Sequence, residues 1–145
     1  MKFISSSYDP NTGKSEVIMQ HLGIKFKGSA QIHPDDWENA SSYEGCFIAE
    51  NRAIILALKY ERYLAKKKSD EAIDLLKACE HYANFDKDSP TAKVLYRQVN
   101  RRIKRVNDIT DKINNIYKTL EMHTRARSTV IKAIKRKKKM SKEDK

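Results

Sequence analysis

The spacing of hydrophobic and polar residues changes along this chain, and each change predicts a different element. In residues 24–32, Ile24, Phe26, Gly28, Ala30 and Ile32 alternate with Lys25, Lys27, Ser29 and Gln31. A period of two puts the first set on one face of a strand and the lysines in solvent, so the apolar face needs a helix against it. Residues 2–8 and 15–20 also have strand-like content. Asp9, Pro10, Asn11 and Gly13 supply a turn between them, and residues 21–23 reverse the chain into the third strand. A small antiparallel meander over residues 1–32 is the simplest arrangement.

Residues 33–45 (HPDDWENASSYEG) are polar and turn-rich, and they end the sheet. A long helix can begin near Ser42 or Tyr43, and its body is assigned to residues 46–83. No Pro or Gly occurs there, and Ile48, Ile55, Leu58, Ala65, Ala72, Leu76 and Cys79 fit one helical face. Its weakest stretch is residues 66–70, where a break is conceivable. Ser89 followed by Pro90 then reads as an N-cap with proline in the first helical position. From there to residue 139, Val99, Ile103, Val106, Ile113, Leu120, Ile131 and Ile134 form a coiled-coil-like seam that Ile109 and Ile116 widen. A helix of roughly 48 residues is about 70 Å long. Such a rod needs partners, so the two helices are expected to pair antiparallel through the turn at residues 84–89 and to oligomerise. Residues 140–145 are expected to fray. The predicted fold is α+β: one domain with a small N-terminal antiparallel sheet and two long antiparallel helices.

Composition sharpens this picture. The chain has 145 residues, 39% hydrophobic and 34% charged, with four Gly and three Pro. That profile suits long solvent-bathed helices. Lysine and arginine outnumber acids 30 to 19, a formal charge of +11. Such a field draws phosphate-bearing partners: nucleotides, nucleic acids or anionic membranes. Cys46 and Cys79 match no metal-ligand spacing and are expected to stay reduced in a cytosol. The N-terminal apolar stretch is too short for a secretory signal, and no run has the length of a transmembrane helix. A soluble cytoplasmic protein is therefore expected.

Catalytic patterns are missing. His21, His33, His81 and His123 show no HExxH pairing, and no phosphate-cradling glycine loop or GxSxG elbow occurs. A non-enzyme that needs no cofactor or metal is expected. The most distinctive loop string is His33-Pro34-Asp35-Asp36-Trp37. Its bland reading is turn-capping aspartates with Trp37 packed under the sheet; its functional reading has His33 or an aspartate touching ligand hydroxyls.

Residues 93–105 (KVLYRQVNRRIKR) are more informative. Arg97, Arg101 and Arg105 recur at every fourth position and share one helix face. Like charges at that spacing repel, so compensation must come from acids such as Glu50 or Glu61, or from a phosphate ligand, since arginine binds either bidentately. Phe85 in the turn, with Tyr82 and Tyr96 nearby, adds faces on which a base can stack. Asn84 and Asn100 can address base edges. Tyrosine and phenylalanine at helical spacing are also ordinary core residues. The basic run at residues 135–139 (KRKKK) reads as a solvated helix end or as a nonspecific nucleic-acid contact, and Arg125 and Arg127 could extend it.

Several of these strings resemble a known family. His33-Pro34-Asp35-Asp36, Ser42, Gly45 and Ile48-Ala49-Glu50-Asn51-Arg52-Ala53, followed later by Lys93, Leu95, Arg97 and Gln98, are similar to the smaller of the Thoeris anti-defence sponge families encoded by phages. The likeness covers most of the chain, from the sheet to the second helix. It implies a helical homo-oligomer, a dimer or hexamer, that sequesters a glycocyclic ADP-ribose signal without cleaving it. Such a protein would act in the cytoplasm of the infected bacterium and block Thoeris immunity. In that family the ligands lie at subunit interfaces, held by an aromatic and arginines, and some members take cyclic trinucleotides at a separate site. Arg52 and Arg97 carry over from matching strings. Phe85, Tyr96, Asn100, Arg101 and Arg105 are candidates from local chemistry. Asp36 stands where the family has Asp, but Asp35 replaces its usual Glu, which puts any role requiring Glu there in question. The rival reading is a basic coiled coil that binds nucleic acid. Against it, Asp108, Asp111 and Glu121 interrupt the basic face beyond residue 105.

Overall fold

A computed structural model describes residues 1–32, 42–82 and 84–143. The three segments read as strands form β1 (Lys2–Asp9), β2 (Lys14–His21) and β3 (Ile24–Gln31), followed by two helices, α1 (Ser42–Glu80) and α2 (Pro90–Glu143). The strands make one antiparallel sheet in the order β1-β2-β3. The expected α+β architecture is thus present. The string at residues 33–41, with His33 and Trp37, lies outside the described residues.

The β2–β3 turn consists of Leu22 and Gly23, because His21 pairs with Ile24. Both turn residues have positive φ, 51° and 77°. A two-residue turn with both centres left-handed follows the sheet's twist, and glycine adopts it freely while leucine does not. The β1–β2 pairing carries a bulge between Phe3 and Ser5.

The chain forms two compact units, Met1–Ile55 with Asn114–Lys145, and Leu56–Ile113. In the first, Val17 and Met19 of β2 and Ala30 of β3 pack on Ala49 and Ala53 of α1. The fit is set by what is missing. A Cβ at Gly28 would collide with the backbone carbonyl of Ala49 and the amide of Ala53, and one at Gly45 would strike the Ser15 hydroxyl. Gly45, Ala49 and Ala53 recur at every fourth position, so one small-residue stripe lets the helix lie directly on the strand backbone.

In the second unit Ala57, Leu58 and Leu76 of α1 are buried, as are Ala92, Val99, Ile109 and Ile113 of α2. Tyr96 meets Glu80, Arg102 meets Lys68, Arg105 meets Glu61 and Arg62 meets Thr110. From Tyr96 through Arg102 to Arg105 one partner number rises as the other falls, which defines an antiparallel hairpin.

The element bounds differ from expectation in places. α1 starts at Ser42, one of the two starts expected, so residues 42–45 of the string assigned to the loop belong to the helix, and it ends at Glu80 rather than residue 83. It runs unbroken through residues 66–70. α2 continues to Glu143, so residues 140–143 are helical rather than frayed. Ile103, expected on the seam, is 38% exposed, whereas Ile109 is fully buried. At about 100° per residue, Ile103 falls on the side of the Val99–Val106–Ile113 line opposite Ile109, at the edge of the contact.

Candidate ligand-binding site on the helical hairpin

The hairpin turn is built by its own polar groups. Ser89 caps α2 as its sequence predicts: its Oγ accepts from the Ala92 amide at 3.2 Å and donates to the Asp86 carbonyl at 2.8 Å. The Asp86 carboxylate accepts from the Asp88 amide at 2.9 Å, and the Phe85 amide donates to the Tyr82 carbonyl at 3.0 Å. Fixing the turn backbone in this way places Phe85 on the wall of a recess of about 370 Å³, together with Cys79, Tyr82, Asn84, Ala92 and Leu95. Phe85 is half-buried, while Tyr82 is 74% exposed. Asp86, Ser89 and Thr91 complete its lining, so apolar and polar side chains share the walls.

Along α2 from this turn, the cations separate into two kinds. Arg105 is ion-paired with Glu61, and Arg102 donates to the Lys68 carbonyl at 2.9 Å. Glu61 was one of the two acids expected to offset the stripe, and it does so at Arg105 alone. Arg97 and Arg101 are exposed, and neither has an ion-pair partner among the described residues. One helical turn apart, they lie on the same face of α2. Asn100, also exposed, sits next to Arg101 on the helix surface. Tyr96 donates its hydroxyl to Glu80 at 2.9 Å. That hydrogen bond, then desolvation and the carboxylate's charge, raise the phenol's pKa above its ordinary value.

These placements divide the candidate residues. Phe85, Tyr96, Arg97, Asn100, Arg101 and Arg105 all belong to the hairpin unit. Within one chain, α2 rises about 10 Å from its start to Arg97 and about 16 Å to Arg101. Phe85 and the arginine pair are therefore separate stations along the rod. Arg52 belongs to the sheet unit, where its guanidinium donates to the Ser29 carbonyl at 2.7 Å. One hydrogen bond leaves most of the donors of that side chain uncommitted.

A second cluster was not anticipated. In the sheet unit, Glu44 is ion-paired with Arg127, and the His123 ring lies 5.2 Å from that of Phe47, tilted by 38°. Two recesses of about 240 and 220 Å³ share Glu44 and Arg127 in their walls. These residues are far apart in sequence, so no local spacing could have joined them. Among the described residues no three His, Cys, Asp or Glu side chains cluster as metal ligands, and no helix is long and apolar enough to cross a membrane.

The site thus defines a class, an α+β chain whose helical hairpin carries two neighbouring arginines with no ion-pair partner among the described residues and a recess walled in part by Phe85 and Tyr82. Comparison of the chain with protein-family models, with characterised proteins and with solved structures gives no match.

Proposed function

We propose that this protein is a non-catalytic sponge that binds and sequesters a cyclic ADP-ribose isomer of the glycocyclic type, and so blocks Thoeris immunity in the cytoplasm of an infected bacterium. The observation that carries the reading is the exposed pair Arg97 and Arg101, without acid partners among the described residues while Arg102 and Arg105 beside them are engaged. Two planar cations one turn apart match the two charges of a pyrophosphate, and each offers a bidentate fork. Mounting them on a helix limits the conformational freedom lost on binding. Phe85, on the recess wall, offers the stacking face for adenine, with Tyr96 and Asn100 beside the arginines.

The separation of Phe85 from Arg101 along the rod has a consequence for this reading. A small cyclic ligand that touches both must lie where two copies meet, so the sponge works as a homo-oligomer joined through its helices. Sequestration requires no nucleophile or general base. Arg52, matched by resemblance, belongs to the sheet unit and keeps donors beyond its bond to the Ser29 carbonyl.

A second reading rests on a specific observation. Between Glu121 and Glu143, α2 carries no acidic residue, and Lys132 with residues 135–139 is exposed. A basic coiled coil would use this surface on long nucleic acid, with affinity falling steeply as salt rises.

The test is incubation of the purified protein with glycocyclic ADP-ribose, removal of free ligand, heat denaturation and mass spectrometry of what is released. The sponge reading expects stoichiometric recovery of intact ligand. Conversion of the ligand would show an enzyme, and no retention at low salt would remove the sponge reading.

A further inference from the structure

The two edges of the sheet differ in a way that points to a partner. β3 carries Lys25 and Lys27 along its length, and charges of one sign on an edge discourage pairing with another copy. β1 has no charge between Lys2 and Asp9. Among the described residues it pairs only with β2, so its outer row of amides and carbonyls has no sheet partner. Phe3 is 51% exposed and Ile4 37% exposed. A long, uncharged edge with exposed apolar side chains is a template for a further strand.

The pairing with β2 fixes which face each β1 residue occupies. Phe3, Ser6 and Tyr8 stand opposite Met19, Val17 and Ser15, which are buried toward α1. Lys2, Ser5, Ser7 and Asp9 stand opposite Gln20, Ile18, Glu16 and Lys14 on the other face. An antiparallel match of β1 with a second β1, centred on Ser6, then satisfies every position. Ser6 faces Ser6 on the two-fold axis, and Ser5 faces Ser7. The bulge places Phe3 and Ile4 together opposite Tyr8, and Lys2 falls opposite Asp9. Both faces are respected, and both ends carry opposite charges. The exposed Phe3 ring gains an aromatic cross-strand neighbour. No other register aligns both charged ends, since any slip of the match moves Lys2 away from Asp9.

We propose that β1 is a self-complementary interface that joins two copies of this chain antiparallel, making one six-stranded sheet with a two-fold axis at Ser6. Such an isologous contact closes on itself and, among the described residues, leaves only the lysine-bearing β3 strands as edges. It is distinct from the helix-mediated contact that the sponge reading uses, and it needs no ligand.

Directly opposed antiparallel residues have Cα atoms about 4.5–5.5 Å apart, within the span of a disulfide. The test is therefore Ser6→Cys in the full chain, under mild oxidation without ligand, with covalent dimer measured by non-reducing electrophoresis and intact mass. Ser29→Cys, exposed on β3, is the collision control, and wild type reports on Cys46 and Cys79. The interface predicts that Ser6→Cys becomes mostly covalent dimer, reversed by reductant, with at least tenfold less for the control and wild type. Ser6→Lys, which sets two like charges on the axis, is expected to weaken the dimer at least tenfold in sedimentation equilibrium while leaving the circular dichroism spectrum unchanged. Absence of the Ser6→Cys dimer, equal dimer with Ser29→Cys, or association unaltered by Ser6→Lys in a folded chain would each overturn the proposal.

Discussion

The sheet-bearing unit and the helical hairpin solve the same problem, holding a long helix in place, by opposite means. In the first, the absence of side-chain volume does the work: Gly28 faces Ala49 and Ala53, and Gly45 faces Ser15, so backbone nearly touches backbone. In the second, bulky aliphatics such as Ile109 and Ile113 fill the interior, and polar contacts from Tyr96, Arg102 and Arg105 line the margin. The contrast teaches where change is tolerated. A contact built on missing atoms fails when atoms are added, whereas one built on large side chains fails when atoms are removed. The exposed face of the hairpin obeys neither constraint, and that is where Arg97 and Arg101 lie, with no ion-pair partner among the described residues.

The largest expected loss comes from removing volume in the hairpin. Ile109→Ala should cost about 2–5 kcal/mol, because its side chain is wholly enclosed and the cavity cannot fully collapse. Urea unfolding at neutral pH would measure it. Adding volume to the sheet unit comes next. Gly28→Ala should cost about 1–3 kcal/mol through overpacking, since the atoms it meets belong to backbone that cannot rotate away. If Gly28→Ala were neutral while Ile109→Ala was costly, the close approach of β3 to α1 would be wrong.

A smaller effect has the opposite sign. Leu22→Asn should stabilise by roughly 0.5–1 kcal/mol, because asparagine tolerates positive φ and leucine is 56% exposed here, with little packing to lose. Thermal unfolding would show a higher midpoint. The smallest concerns Glu16, whose carboxyl is held below its ordinary pKa by hydrogen bonds from Lys14 and then Lys27, reinforced by their charges. The unfolded chain binds this proton more readily than the folded one. Its contribution is therefore complete above the ordinary carboxylate pKa and is lost as pH falls through the lower folded value. Glu16→Gln should flatten that part of the stability profile and leave the alkaline side unchanged.

Much of this fold was legible in the sequence because its signals are local. Alternation marked β3, strand-like content between turn residues marked β1 and β2, and the Ser89-Pro90 pair placed the start of α2 to the residue. The seam was harder. Counting large apolar residues put Ile103 in the contact, because a spacing of three or four residues does not say on which side of a helix the partner lies. The small-residue stripe was invisible for another reason. Ala49 and Ala53 are weak in any hydrophobic pattern, and their importance comes from Gly28, which another element supplies. At the candidate site the arginine stripe could be read directly, and Glu61 could be named as an offset. Which arginine Glu61 would take depended on the helix register. The Glu44–Arg127 pair depended on tertiary placement altogether.

The central claim is that Arg97 and Arg101 capture the anionic ligand. Isothermal titration of glycocyclic ADP-ribose into wild type and into the Arg97→Ala/Arg101→Ala variant tests it most directly. The account predicts tight binding by wild type, loss of at least a hundredfold in affinity in the variant, and an unfolding midpoint close to wild type because both side chains are exposed. Equal affinity in the two proteins, or no heat from wild type at low salt, would contradict it.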